Sequence, residues 1–479
     1  MSKLPFSGRR SGVLLHPTSL PQPGGIAGAA RHFVDFLADS GFGVWQVLPL
    51  GPTHADGSPY LCLSSHAGNP DLIDLRAAAE HLRLDPPNGG RAAVVQALGS
   101  AFAERASDSD RQSFARFKAD NAHWLDEYAL FRALRTEQGE THWCTWPVPL
   151  RQRDPQALAA ARDRLQSAIE RCRFEQFLFD GQWQALRAHA AARDVLLFGD
   201  LPIFVDHDSA DVWCEQRFFQ LDPNGQPTAV AGVPPDYFSE TGQRWGNPLY
   251  AWEPMEQDGF SWWQERVATQ LRHCDLLRID HFRGFAACWE IPANEPTAVG
   301  GHWVKSPGAA LLESLQARFP SLPVIAEDLG TITPDVVELQ QRFELPGMKV
   351  LQFAFDGSAS NPYLPHNHLI NSVVYTGTHD NDTSCGWFNS LDSGVRQRVL
   401  DYLGQPGEHM PWPLVRAALA SVAQLAIIPM QDLLGLDSEA RMNRPGTVGE
   451  NWAWRFDWSQ VDPGLASQLR HLNGLYGRR

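Results

Sequence analysis

The stretch LLRID at residues 276–280 is an apolar run that ends in a carboxylate. Two later stretches have the same form, VIAE at residues 324–327 and VVYTGTHD at residues 373–380. A carboxylate is costly to bury beside apolar strands unless a partner or a function compensates for it. These stretches therefore predict strands whose terminal acids belong to a functional site.

Apolar runs bounded by turn residues occur eight times along the 479-residue chain. They cover residues 12–16, 44–50, 195–200, 276–280, 324–327, 349–355, 373–376 and 426–431. Most are continuously apolar, which is typical of parallel strands covered on both faces. Because helical patterns separate them, the sequence predicts an α/β fold, a (β/α)8 TIM barrel, rather than a doubly wound sheet.

Two long interruptions break the regular repeat of the barrel. We expect a large, mainly helical insertion after strand 2, as an inserted subdomain over residues 55–194, with the catalytic barrel formed by residues 1–54 and 195–479. The segment at about 203–259 is rich in Pro, Gly, Asp, Trp and Tyr. It is interpreted as an irregular loop insertion over the C-terminal rim, with a lid-like role.

Composition excludes several classes of protein. A net charge of −15 disfavours a general nucleic-acid binder, and no stretch is long and apolar enough for a membrane span. The first ten residues lack the apolar core of a signal peptide, and seven scattered cysteines without a CxxC pair favour a cytoplasmic location. No motif calls for a cofactor or a catalytic metal, and the oligomeric state is not indicated.

In a barrel of this type, the active site lies at the C-terminal ends of the strands, where Asp280, Glu327 and Asp380 fall. Any one such acid can instead cap a helix or pair with an arginine. Three at one rim, each beside another polar group, indicate glycosidic-bond chemistry. That chemistry needs a nucleophile and an acid/base, and often a further group that stabilises the transition state.

Neighbouring residues distinguish the acids. Arg278 lies two positions before Asp280, so both side chains point to the same side of the strand and the guanidinium favours the ionised carboxylate that a nucleophile needs. A structural ion pair is the alternative. Glu327, as a general acid, has to keep its proton near neutral pH. His379, beside Asp380, is a candidate donor to a sugar hydroxyl.

The motifs RIDHFRG (278–284), IAEDLG (325–330) and THDNDT (378–383) resemble those of the 4-α-glucanotransferases. This family, also called amylomaltase or disproportionating enzyme, is related to the α-amylases. Further matches follow in family order over nearly the whole chain: SPY (58–60), AGNP (67–70), GDLP (199–202), GVPPDYF (232–238), QRWGNP (243–248) and RMN (441–443).

The resemblance implies a retaining transfer of an α-1,4-glucan segment to the 4-hydroxyl of an acceptor glucan or glucose, through a covalent glycosyl-enzyme. Asp280 would be the nucleophile, Glu327 the acid/base and Asp380 the transition-state stabiliser. Arg278 and His379 would assist as substrate-site residues. The other positions that match substrate-binding residues are Tyr60, Asp236, Tyr237, Phe238, Trp245, Asn247 and Asn443.

The main alternative is an α-glucan hydrolase of the α-amylase type, since hydrolases and transferases share these catalytic groups. A catalytically inactive glucan-binding protein would be expected to lack at least one of the three acids. Exclusion of water by the aromatic loop with Tyr237 and Phe238 would favour transfer. One departure from the family is Leu61-Cys62, where a polar Gln often follows the motif SPY.

Overall fold

We analysed a computed structural model that describes residues 4–21, 25–84, 89–235, 239–447 and 449–478. Its strands are β1 (Arg10–Leu14), β2 (Val44–Gln46), β3 (Leu196–Leu201), β4 (Ala229–Val233), β5 (Gln243–Pro248), β6 (Leu276–Ile279), β7 (Ala287–Pro292), β8 (His302–Lys305), β9 (Val324–Ala326), β10 (Gly347–Val350), β11 (Ser372–Tyr375) and β12 (Leu425–Pro429).

Eight of these strands form one parallel sheet in the order β10-β11-β12-β1-β2-β3-β6-β9. The edge strands approach each other, and the N–H of Ala326 donates to the carbonyl of Pro346 at 2.8 Å, which joins the end of β9 to the start of β10. Buried apolar side chains from the strands, such as Leu14, Phe198 and Ile427, fill the interior. The predicted (β/α)8 barrel is confirmed, and each of the eight predicted runs overlaps one of its strands. The run at 349–355 shares only residues 349 and 350 with β10, because a 3-10 turn begins at Leu351.

The helices lie between the strands and around the sheet. They are α1 (Gly28–Asp39), α2 (Leu75–His81), α3 (Arg91–Arg105), α4 (Asp108–Asp120), α5 (Ala122–Glu137), α6 (Val148–Arg151), α7 (Pro155–Arg164), α8 (Gln166–Ala192), α9 (Ala210–Cys214), α10 (Trp252–Gln257), α11 (Ser261–His273), α12 (Gly308–Arg318), α13 (Pro334–Arg342), α14 (Ser384–Ser390), α15 (Ser393–Tyr402), α16 (Trp412–Ala420), α17 (Met430–Leu433) and α18 (Leu465–Leu475). In the described residues, no helix is both long and apolar enough to span a bilayer.

The helical insertion after β2 contains α2 to α7 and the start of α8. Along α8, Phe174 packs in the insertion, whereas Trp183 and Leu186 pack in a core that includes Phe33 and Trp45 of the barrel. The C-terminal half of α8 therefore serves as the barrel helix between β2 and β3. The exact division of the chain at residues 54 and 194 stays a prediction.

A second sheet is the main feature that the sequence did not predict. Strands β4, β5, β7 and β8 form an antiparallel sheet in the order β5-β4-β7-β8. Two of them, together with α9 and α10, lie in the 203–259 segment, so its interpretation as wholly irregular was wrong. The first four residues of β5 are exposed or half-buried, and only the last two are buried. The strand therefore lacks the regular alternation of apolar and polar residues by which a half-buried strand is identified from sequence.

Candidate active site

The three acids of the sequence motifs meet at the C-terminal rim of the barrel. Asp280 directly follows β6, Glu327 directly follows β9, and Asp380 lies in the turn after β11. All three line one open cleft with a volume of about 1290 Å³. The fold therefore brings together carboxylates from three separate motifs, as the sequence predicted.

Arg278 joins two carboxylates beneath this cleft. Its Nη2 donates to Oδ1 of Asp280 at 2.6 Å, and its Nη1 donates to Oδ2 of Asp200 at 2.5 Å. Arg278 and Asp200 are register partners on β6 and β3, which explains the contact. Burial opposes the charge of Arg278, yet the two carboxylates raise the pKa of the guanidinium well above its ordinary value. The guanidinium therefore places a positive charge in direct contact with Asp280, the carboxylate that faces the cleft.

Glu327 has the opposite environment, since its side chain is buried. Burial, reinforced by the nearby charge of Asp280, raises the pKa of Glu327 from 4.5 to about 7, although Arg278 opposes the shift. Its two oxygens accept backbone N–H bonds from His281 at 2.7 Å and from Leu329 at 2.8 Å. These bonds fix the carboxyl while leaving it able to hold a proton near neutral pH, as a general acid requires.

The backbone conformation at His281 allows its N–H to donate to Glu327. His281 adopts a left-handed conformation with φ of 49°, which ends β6 and starts the short 3-10 turn Phe282–Phe285. A non-glycine residue in this region is uncommon and marks a constrained position. The turn directs the His281 N–H toward Glu327 on the neighbouring strand.

Asp380 is the most exposed of the three acids, with 46% of its side chain accessible. Its Oδ1 accepts a hydrogen bond from Nδ2 of Asn443 at 2.7 Å and lies 3.3 Å from Nε2 of His379. The buried His379 ring stacks on Tyr60 with a centroid distance of 5.1 Å. The Tyr60 hydroxyl donates to Oδ2 of Asp200 at 2.7 Å, and the same oxygen accepts a hydrogen bond from Arg278. Asp200 therefore connects the stacked rings of His379 and Tyr60 to Arg278.

The remaining described site residues also line the cleft. Trp245 lies on β5, where its ring meets the ring of His281 edge-on at 4.8 Å. Asn247 is buried further along β5 and donates to the carbonyl of Val205 at 2.9 Å. The predicted residues Asp236, Tyr237 and Phe238 lie outside the described residues.

Two strand-end acids differ in their roles. Asp200 has a fully buried side chain that pairs with Arg278, a contact that strand periodicity alone does not reveal. Asp432, after β12, accepts bonds from the hydroxyls of Thr376 at 2.5 Å and Ser384 at 2.7 Å and lies outside the cleft lining. Asp432 is therefore structural.

Trp387 and Trp452, which have aromatic faces suited to sugar rings, line the cleft as well.

Comparison with known proteins agrees with this geometry. A family model described as 4-alpha-glucanotransferase matches residues 15–460. The 4-alpha-glucanotransferase of Thermus thermophilus is 49% identical over 97% of this chain and 98% of its own, and that of Synechocystis sp. is 46% identical over 98% of each. The amylomaltase of Streptococcus agalactiae, solved in complex with acarbose, superposes with a TM-score of 0.93 at 34% identity, covering 98% of this chain and 99% of that one. The chain therefore belongs to the 4-α-glucanotransferase family.

Proposed function

We propose that this protein acts as a 4-α-glucanotransferase, transferring a segment of an α-1,4-glucan to the 4-hydroxyl of an acceptor glucan or glucose. One observation carries the catalytic part of the proposal. A single cleft holds Asp280, paired with an arginine, and Glu327, buried with a pKa of about 7. A nucleophilic carboxylate and a protonated acid are the pair that a retaining mechanism needs.

In the first step, Glu327 protonates the glycosidic oxygen of the donor while Asp280 attacks the anomeric carbon. The bond to the leaving glucan breaks, and a covalent glycosyl-enzyme forms. In the second step, Glu327 takes the proton of the acceptor 4-hydroxyl, which attacks the same carbon and releases Asp280. Two inversions give net retention.

Asp380 is proposed to stabilise the oxocarbenium-like transition state between these steps. Asn443 and His379 hold its carboxylate at the edge of the cleft, where it remains accessible to a sugar hydroxyl. Tyr60, Trp245 and Asn247 are proposed as sugar contacts because they line the same cleft. The Streptococcus agalactiae relative, solved with acarbose, supports an oligosaccharide as the occupant.

Transfer rather than hydrolysis depends on the acceptor that reaches the intermediate. The high identity to proteins named as transferases supports a sugar acceptor, and so do aromatic residues such as Trp245 and Trp452 along the cleft. Asp236, Tyr237 and Phe238 are proposed to cover the substrate and to exclude water. Truncating Tyr237 and Phe238 is then expected to raise hydrolysis relative to transfer.

Incubation with maltotriose tests the function directly. We expect glucose together with a ladder of maltodextrins longer than the substrate. Products that are all shorter than maltotriose would instead identify an α-amylase-type hydrolase. The anomeric configuration of newly formed bonds, followed by NMR, tests retention separately from the identity of the acceptor.

We also propose a cytoplasmic location for the protein and a separate, mainly helical subdomain over residues 55–194. The location is supported by the seven cysteines, which all carry free thiols. The subdomain is supported by a small core of its own, built from residues such as Leu98, Phe102 and Phe174.

A further inference from the structure

A cluster of nitrogen and sulfur ligands lies outside the catalytic cleft. His142 and Cys144 flank Trp143 at the short 3-10 turn Trp143–Thr145 of the helical insertion, and His207 lies in the loop after β3. One potential ligand atom from each lies within 4.8 Å of the others. We propose that His142, Cys144 and His207 bind one divalent metal ion of the zinc class.

The distance between two of these atoms already fits a metal. Sγ of Cys144 lies 3.5 Å from Nε2 of His207. Zinc bonds of about 2.3 Å to sulfur and about 2.0–2.1 Å to nitrogen, at a tetrahedral angle, place S and N roughly 3.5 Å apart. The ligand atom of His142 lies within 4.8 Å of the other two, so its ring has to turn toward them to complete the set, and 34% of its side chain is accessible, which leaves room for that movement.

The surroundings of the cluster are suited to a metal centre. The carbonyl oxygen of Gly225 lies 3.2 Å from Sγ of Cys144 and 2.8 Å from Nε2 of His207, so an oxygen already faces both ligands. A Cβ at Gly225 would lie 2.4 Å from the ring of Trp143, and φ of this glycine is +80°. The turn can therefore approach this closely because it carries a glycine.

Nearby groups also orient the ligands. The Trp143 indole donates to the carbonyl of His207 at 2.7 Å, and its backbone N–H donates to Oδ1 of Asp208 at 3.2 Å. Nδ1 of His142 accepts the backbone N–H of Cys144 at 3.1 Å, which holds the ring beside its own turn. This bond has to open on metal binding, because a neutral imidazole that binds a metal through one nitrogen carries its proton on the other. Three protein ligands leave a fourth position for water.

Metal binding would have a defined structural effect. The thiol of Cys144 donates to the carbonyl of Gly225, so metal binding would replace the thiol proton, which passes to solvent. The ion would link the helical insertion to the loop after β3, the strand that carries Asp200. We therefore expect the metal to tighten the insertion against the barrel without entering the catalytic cleft.

Cobalt(II) titration of the metal-free, full-length protein tests the site, because a thiolate ligand produces a near-ultraviolet charge-transfer band. We expect this band to saturate at one equivalent and to disappear when Zn²⁺ is added. Cys144→Ser should abolish the band. Cys214→Ser is the matched control, since this half-buried thiol lies 3.5 Å from Nη1 of Arg153, and it should leave the band unchanged.

A second variant separates loss of a ligand from loss of the fold. His142→Gln removes an accessible ligand and should weaken cobalt affinity at least about tenfold while circular dichroism stays that of the parent. At one fixed concentration, Zn²⁺ should raise the Tm of the parent and of Cys214→Ser by more than it raises that of His142→Gln. Absence of the band in the parent, or its persistence in folded Cys144→Ser, would overturn the proposal.

Discussion

The backbone N–H of His281 donates to Oε2 of Glu327 at 2.7 Å. The residue after Asp280 therefore holds the carboxyl that is proposed to protonate the leaving group. The contact couples the ends of β6 and β9, so the positions of Asp280 and Glu327 are fixed relative to each other. Such preorganisation would let both groups, in their proposed roles, act on one glycosidic bond without rearrangement.

Asp280→Asn is expected to lower kcat for maltotriose disproportionation by roughly 10⁴-fold, the scale seen when one member of a catalytic group is removed. The amide has nearly the same shape and can still accept from Arg278, so the Tm should change little. Asp39→Asn is a matched control because Asp39 is exposed at the end of α1, outside the cleft. Retained activity in Asp280→Asn would exclude Asp280 as the nucleophile.

The pKa of Glu327 predicts a pH limit on activity. Because this carboxyl has to be protonated to act as the acid, kcat/KM for the donor should fall about tenfold per pH unit above about 7. Glu327→Gln should lose most activity on maltotriose. The variant should still release one equivalent of fluoride from an α-maltosyl fluoride, because fluoride needs no protonation to leave, while the later steps that need Glu327 as a base stay slow. The rate of this first release should lack the alkaline fall.

The raised pKa of Glu327 also makes the stability of the fold depend on pH. A carboxylate whose pKa is lowered by an ion pair adds stability as pH rises, whereas Glu327 removes stability. Between pH 4.5 and about 7 the folded carboxyl keeps a proton that the unfolded chain releases, so the free energy of unfolding falls as pH rises through this window. The total change is on the order of 3 kcal/mol. Glu327→Gln cannot ionise, so its stability relative to the parent should increase by that amount between pH 4 and pH 8.

Chemical denaturation at both pH values measures this difference. Glu338→Gln, an exposed position on α13, is the control for the same chemical change and should show no such increase. A stability difference between Glu327→Gln and the parent that stays constant with pH would mean that the pKa of Glu327 is the same in the folded and the unfolded protein.

Much of the site could be predicted from sequence because each acid lies within or just after a short stretch of chain whose pattern identifies a strand. Continuous apolar runs identify the barrel strands. Asp280 and Glu327 directly follow such runs, and Asp380 lies in the turn after another one. The resemblance to a known family added Tyr60 and Asn443, which lie far from the acids in sequence but line the same cleft.

The features that sequence missed depend on three-dimensional register. Asp200 meets Arg278 because β3 and β6 pair with these residues side by side, and periodicity within one strand carries no such information. The left-handed conformation of His281 has no sequence signal, since glycine is the usual residue there. The second sheet was missed because β5 is partly exposed and lacks a buried alternation.

Arg278→Lys tests the link between the two carboxylates. A single ammonium lacks the planar fork that lets the guanidinium reach both Asp200 and Asp280, so one carboxylate loses its partner. We expect kcat to fall roughly 10²-fold, as for loss of one preorganised donor. The Tm should fall too, because Asp200 is buried. Unchanged kcat with a lower Tm would show that Arg278 is only structural.

Trp245→Ala tests the role of the aromatic lining in the choice between sugar and water. The Trp245 ring lies beside His281, which follows Asp280 in the chain and donates its backbone N–H to Glu327. One face of the cleft loses its apolar cover when the ring is removed. Water should then reach the glycosyl-enzyme more readily, so the ratio of free reducing ends to transfer products should rise severalfold. Trp303→Ala removes a partly exposed indole outside the cleft lining and should leave the ratio unchanged. An equal loss of both products in Trp245→Ala would indicate a contribution to substrate binding alone.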